Sequence, residues 1–326
     1  MNRQRRALAL AGAALCAIRP LQSLAQATAY PSGPVKVIVP FAPGGIVDVM
    51  ARLVADELGR QLQQPFYVEN RPGATSTLGT AALKASAADG QTILFGTSSI
   101  ELLNPFLFKK LPYQVADLQR VSVIYDSSIA LVVPRKSKVG NFKELVAYAK
   151  SKGNGVTFGS WGAGSSGHLF GVMLENAFGI KLVHVPYKGE IGALTDMARG
   201  DLDMTWASPN GARTFREKGD SVVIGSTGSA RSPALPDVPT FAEQGFESFN
   251  LGLYGVAYAP KGTPTAIVDQ LQRAIHAAVV QAAVKERFAT MGLTPVGSTP
   301  AQFDALFTRE RPIWQKLVET SGATLD

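Results

Sequence analysis

Apolar residues along this chain switch between two spacings. Val35–Val39 is a short β-branched run that stops at Pro40 and reads as a strand. Ile46, Met50, Leu53, Val54, Leu58 and Leu62 then recur three and four apart, which makes one face of a helix. Phe66–Val68 is strand-like and is punctuated by Asn70, Arg71, Pro72 and Gly73. Leu78–Ala87 predicts a helix and Thr92–Phe95 a buried strand. This alternation argues for an α/β fold with a mostly parallel sheet and helices on both faces.

A second series follows. Val121–Val133 predicts one long strand before Pro134, and Phe142–Ala149 a helix. Strand-like Val156–Phe158, Leu182–Val185, Asp203–Trp206 and Val222–Ile224 are separated by helical Leu169–Phe178 and Gly192–Ala198. A proline-rich stretch from Pro233 to Pro239 leads to another long β segment, Leu251–Tyr258. The tail is helical over Thr263–Met291 and Pro300–Thr320. Two long β segments thus bracket the second series. The simplest arrangement is two α/β lobes joined by two crossover strands, with the C-terminal helices returning to the first lobe. The expected boundaries are 28–127 plus 251–326 for a discontinuous lobe 1, and 128–250 for lobe 2. A cleft between two such lobes is a usual place for a small ligand.

Composition narrows the chemistry. With 326 residues, 46% hydrophobic and 17% charged, the chain has a globular composition rather than a disordered one. One cysteine excludes a disulfide scaffold, and three histidines leave little material for a metal centre. Residues 1–27 read as a secretory signal peptide. Arg3, Arg5 and Arg6 precede an apolar run from Ala7 to Ile18, and Ala25-Gln26-Ala27 fits a cleavage site. That run is too short to span a bilayer, so the chain reads as an exported protein. Removing the leader takes four arginines from a formal charge of +7 and leaves +3. A spread charge of that size is no nucleic-acid footprint.

Each lobe has a glycine-rich loop between a strand and a helix. The first runs Pro40-Phe41-Ala42-Pro43-Gly44-Gly45 and opens the helix that carries Asp48. The second runs Gly159-Ser160-Trp161-Gly162-Ala163-Gly164-Ser165-Ser166 and opens the helix that carries His168. Both present helix-start amides and the positive end of a helix dipole, and the serines add hydroxyl donors. Two such ends across a cleft would pinch a small anion, most naturally a carboxylate. Each also reads as a simple turn with a helix cap, and Asp48 equally as a dipole partner of its own helix. Gly162–Gly167 fits the dinucleotide pattern G-x-G-x-x-G, but no acid stands near His184-Val185-Pro186-Tyr187, where its partner belongs, and no cofactor is expected. The competing reading is a secreted serine-dependent hydrolase using Ser160, Ser165 and His168, although no G-x-S-x-G surrounds these serines.

Pro40-Phe41-x-Pro43-Gly44-Gly45-x-x-Asp48, Glu69-Asn70-Arg71-Pro72-Gly73-Ala74 and Ala88-Asp89-Gly90 occur in order with Ser160-x-Gly162-x-Gly164-Ser165-x-x-His168-Leu169. Val185-Pro186-Tyr187-Lys188-Gly189 and Arg231-Ser232-Pro233-Ala234-Leu235-Pro236-Asp237-Val238-Pro239-Thr240 follow. Together these resemble the Bug family, the substrate-binding proteins of tripartite tricarboxylate transporters. The resemblance implies a type II periplasmic-binding fold whose lobes close on the ligand by a hinge in the crossover strands. It implies no catalysis, a monomer, and delivery of a di- or tricarboxylate, aromatic acid or amino acid to membrane transporter subunits, or to a sensor kinase in their place. It carries ligand contact onto Phe41, Gly44, Gly45 and Asp48 in lobe 1, and onto Ser160, Gly164, Ser165 and Ser166 in lobe 2. It implies that Thr97, Ser98, Ser99 and Tyr187 flank the rest of the ligand.

Some positions depart from the family pattern. Trp161 replaces a residue that is often small, and would stack on an aromatic acid or shorten the cavity. Glu190 replaces a small residue, and Glu101 lies just past the third strand. In a carboxylate pocket either acid would repel the ligand unless the ligand carries an ammonium or ring nitrogen; the alternative is a solvated rim.

Overall fold

Val35–Val39 forms β1 with its three valines fully buried, as expected for a strand covered on both faces. The computed structural model describes residues 30–153 and 155–325; the expected signal peptide lies outside the described residues. β2 (Phe66–Asn70) and β3 (Thr92–Thr97) flank β1 in parallel, with Val37 opposite Val68 on one side and Ile93 on the other. Helix Ile46–Leu62 joins β1 to β2 and buries Met50, Ala51, Val54, Ala55 and Leu58 in one core cluster with β1.

The sheet is mixed rather than mostly parallel. β10 (Leu253–Pro260) lies antiparallel between β3 and β4 (Leu118–Ser127), and β11 (Leu293–Pro295) completes the order β11-β4-β10-β3-β1-β2. The second sheet holds β5 (Ala130–Pro134), β6 (Val156–Ser160), β7 (Leu182–Pro186), β8 (Met204–Ala207) and β9 (Ser221–Ser226), in the order β7-β6-β8-β5-β9. There β6 is parallel to β7 and β8, while β5 is antiparallel to β8 and β9. The crossovers are the reason. The strand leaving one lobe and the strand returning to it run side by side in opposite senses, with Ser127 opposite Leu253 and Leu118 opposite Pro260.

Val121–Val133 is therefore two strands, not one. Ser128 and Ile129 separate β4 from β5, and the chain changes sheet there. Both backbone groups of Ile129 pair with Thr227: its N–H donates to Thr227 Oγ1 at 3.1 Å, and its carbonyl accepts from Thr227 N at 2.9 Å. The outgoing connection is thus tied to the chain just past β9. Helices Thr265–Val279 and Ala282–Thr290 pack on the first sheet. The last helix, Pro300–Ser321, does more. It opens with a Thr299–Gln302 capping box and carries Trp314 edge-on against Phe170 of lobe 2, with ring centroids 5.5 Å apart.

Two acids, buried Glu310 and half-buried Asp126, sit beside the crossovers. Glu310, from the last helix, accepts from the Tyr254 hydroxyl on β10 at 2.6 Å and from Trp314 Nε1 at 3.3 Å. Asp126 on β4 has a buried Oδ1 with no partner among the described residues. Desolvation, reinforced by the charge of Glu310, pushes the Asp126 carboxyl up to about 7. The folded state then holds a proton that the unfolded chain releases near pH 4, so this group's contribution is present below that range and is lost as pH rises toward 7. Asp126→Asn removes the effect. Relative to the unaltered protein, the variant is expected to gain about 2 kcal/mol on going from pH 5 to pH 8. Urea unfolding midpoints at the two pH values check this; a pH-independent difference would contradict it.

Candidate functional site

A cavity of about 440 Å³ lies between the lobes, bounded by both glycine-rich loops and both crossover strands. Helix Ile46–Leu62 reaches it through Ile46, and helix Ser166–Phe178 through Ser165 and Ser166. Helix-start amides have no partner within their own helix, and the dipole places partial positive charge there. Ser165 Oγ caps the second helix by accepting from His168 N at 3.3 Å. At the first, Asp48 Oδ2 accepts from Gly44 N at 2.9 Å.

Of the residues singled out from the sequence, Phe41, Thr97, Ser98, Trp161, Gly164, Ser165 and Ser166 line this cavity. The structure places Gly44, Gly45, Asp48, Ser160, Tyr187 and Glu190 outside the lining. Asp48 is buried and serves the loop. Besides Gly44 N, it accepts from Arg52 Nε at 3.1 Å and from Asn70 Nδ2 at 2.8 Å. Burial alone would raise its carboxyl; the bonds from Arg52, Gly44 and Asn70 hold it below the usual carboxylate range. Asn70 also donates to Phe41 O at 3.0 Å, so Asp48 and Asn70 together fix the first loop.

Ser160 is fully buried. Its hydroxyl shares a 2.6 Å hydrogen bond with His184 Nε2 and accepts from Gly162 N at 3.2 Å. His168 stacks on His184 with ring centroids 4.0 Å apart, and His168 Nδ1 accepts from Gly164 N at 3.1 Å. Burial, together with the charge His168 would carry, lowers His184 to about 4. The competing hydrolase reading rested on His168, whereas the histidine that Ser160 bonds is His184. Among the described residues no carboxylate is hydrogen-bonded to either ring, and the Ser160 hydroxyl faces away from solvent. The histidine pair stands behind the loop, bonded to it at Ser160 and Gly164.

Tyr187 turns its hydroxyl to Asp196 Oδ2 at 2.7 Å. Glu190 accepts from Ser208 N at 2.6 Å and from Ser208 Oγ at 2.8 Å, so it ties two helix starts together. It lines a smaller neighbouring cavity of about 270 Å³, which shares Trp161 with the larger one. Glu101 is not on a solvated rim: it is 1% exposed and forms a two-pronged pair with Arg120. Neither glutamate lines the main cavity.

Sequence reasoning missed other lining residues. Tyr125, Ser127, Leu253 and Tyr254 lie on β4 and β10 or at their ends, and the crossover expectation itself was a usable signal for them. Leu103, Asn104 and Leu107 come from the short helices after β3. Leu325, next to the C-terminus, is held there by its N–H donating to Leu107 O at 2.8 Å. No local pattern announces that return.

The profile of the "Tripartite tricarboxylate transporter family receptor" matches residues 50–323. Protein BugT of Bordetella pertussis is 36% identical over 301 residues, covering 92% of this chain and 92% of that protein. Among solved structures, the Rpa4515 protein of R. palustris with adipate superposes with a TM-score of 0.77 at 29% identity, over 91% of this chain and all of that one. MatC from Rhodopseudomonas palustris with bound malate gives 0.72 at 28% identity, over 89% of this chain and all of that one.

Proposed function

The chain belongs to the family of tripartite tricarboxylate transporter receptors, and on that premise we propose that it binds a small carboxylate between its lobes and closes on it in the periplasm for delivery to a membrane transporter. One observation carries this reading. Two helix starts, one from each lobe, meet a single interlobe cavity whose polar lining is hydroxyl and amide groups. Those groups can donate to an anion without the fixed geometry of a guanidinium clamp, and ordered water can complete the shell. The proposed contacts are Thr97, Ser98, Ser165 and Ser166, with Phe41 and Trp161 against the body of the ligand. Gly44, Gly45, Asp48, Ser160 and Tyr187 act by holding the two loops in position.

Relatives that carry adipate and malate support a carboxylate ligand for this chain. Among the described residues no helix is long and apolar enough to cross a membrane. The test is thermal unfolding of ligand-stripped protein against citrate, malate, adipate, glutamate and benzoate, with NAD as control. At about 100-fold above Kd, a true ligand adds roughly 2.7 kcal/mol, a shift of a few degrees in a chain this long. Recovery of that acid unchanged and in stoichiometric amount is the expected companion result. A shift with NAD alone, or consumption of the acid, would overturn the proposal.

A further inference from the structure

Resting on the carboxylate reading, we propose that the cleft has a second subsite, built on Glu190, Ser128 and Ser208, which takes an ammonium group at the far end of a long ligand. The cavity of about 270 Å³ beside the main one holds it. The two spaces share Ile46, Trp161, Ser127 and Leu253. Ile46 comes from lobe 1 and Trp161 from lobe 2, while Ser127 and Leu253 stand opposite each other on the crossovers. Together they make a collar between the spaces. The smaller space alone falls below the usual size of a ligand pocket, about 300–1,000 Å³. It extends the main cavity, and a ligand whose carboxylate meets the helix starts enters it by passing the collar.

The lining changes character beyond the collar. No charged side chain lines the main cavity among the described residues, whereas Glu190 lines the extension. Glu190 accepts from Ser208 through one bond to each oxygen, and it forms no ion pair among the described residues. A carboxylate accepts about four hydrogen bonds, so half of that capacity is open. Gly211 leaves room for it: a Cβ there would come within 2.9 Å of Glu190 Oε1. Ser128 is a separate observation. It lines the same space, is 7% exposed, and its hydroxyl has no partner among the described residues. A buried hydroxyl without a partner is costly, which points to a group that is brought in.

A ligand end that answers both residues must offset a negative charge and make several hydrogen bonds. An ammonium does both, and a hydroxyl supplies no charge. A second carboxylate that reaches Glu190 meets like charge; one that stops in the main cavity does not. Trp161 suits the passage. Its indole borders both spaces and packs over Gly167, where a Cβ would come within 3.1 Å of Cη2 and Cζ3. An aromatic face in that position attracts a passing cation.

Calorimetric titration of the ligand-stripped protein tests this with straight-chain acids of four to eight carbons. One series ends in an amino group, one in a second carboxylate and one in a methyl group. Once the chain passes the collar, the amino acid should bind at least tenfold tighter than either partner of the same length. Glu190→Gln keeps an acceptor for Ser208 N and removes the charge. It should weaken that amino acid at least tenfold, while malate, short enough to stay in the main cavity, changes less than twofold. Ser128→Ala breaks no side-chain hydrogen bond of the fold and should weaken the same amino acid about threefold, again sparing malate. No preference for the amino end at any length, a preference that survives Glu190→Gln, or an equal loss for malate would overturn the inference and leave the carboxylate reading standing. The primary amide of the best amino acid binding as tightly as the acid would overturn the carboxylate reading. Silence from every compound at millimolar concentration would overturn both.

Discussion

Arg120→Ala is expected to cost about 3–5 kcal/mol of folding stability, the usual penalty for stranding a buried charge. Glu101 is 1% exposed, so its carboxylate has almost no access to water once the guanidinium is gone. Arg120 Nε donates to both oxygens, at 3.0 and 3.2 Å, and Nη2 bonds Oε2 as well. The same side chain reaches Asp304 through Nη1 at 2.7 Å and lies 5.5 and 5.6 Å from the ring centroids of Phe303 and Phe307. One residue of β4 therefore clamps the short helix after β3 to the last helix. Truncation loses the pair, the ring contacts and the packing of the aliphatic stem together. The double variant Glu101→Leu with Arg120→Met removes both charges at similar volume and should recover most of the loss. Urea unfolding of the three variants decides the matter. A single-variant cost below about 1 kcal/mol would mean that the pair behaves as an exposed one, and that the burial of Glu101 does not matter.

Gly164→Val is expected to lower affinity at least tenfold for any acid the unaltered protein binds. Gly164 has φ of +73°, where a β-branched residue is strained by roughly 1–3 kcal/mol. It also faces Leu107 across the cleft, and a Cβ would meet Leu107 Cδ2 at 2.9 Å. Leu107 belongs to lobe 1 and Gly164 to lobe 2, so the added methyl groups act as a wedge between the lobes in the closed arrangement. Gly164→Ala carries the strain with a smaller wedge and should fall between the two. Titration of each variant with the best ligand, and small-angle scattering with that ligand present, give the comparison. The Val variant should stay extended where the unaltered protein contracts. Unchanged affinity and unchanged contraction would show that binding does not need the lobes to approach this closely.

The alternation of spacings along the chain was enough to anticipate two α/β lobes. It did so because β1, β6 and the helices that follow them are buried on faces that repeat locally: Met50, Val54 and Leu58 mark a helix whatever lies elsewhere. The helix starts at Ile46 and Ser166 were legible for the same reason, since glycines and a cap residue act over a few positions. Where that reading slipped, the deciding contact was distant. Val121–Val133 looked like one strand because Ser128 and Ile129 are small breaks in an apolar run, and only pairing with Thr227 shows that the sheet changes there.

The site divides in the same way. The serines and Phe41 could be named from the loops that carry them. The sequence could not reveal that Ser160 turns inward to His184, that Glu101 is spoken for by a residue nineteen positions on, or that Leu325 returns to the cavity wall. Nor could it show that, among the described residues, no charged side chain lines the cavity. A pocket's electrostatics is the sum over every element that reaches it, and over which polar groups other partners have already taken. The sequence by itself determined that strands and helices alternate in two series and where two helices begin, because those depend on neighbours in the chain. The tertiary structure alone decided which side chains face the cleft and which brace it, because hydrogen bonds and burial are settled between residues far apart in sequence.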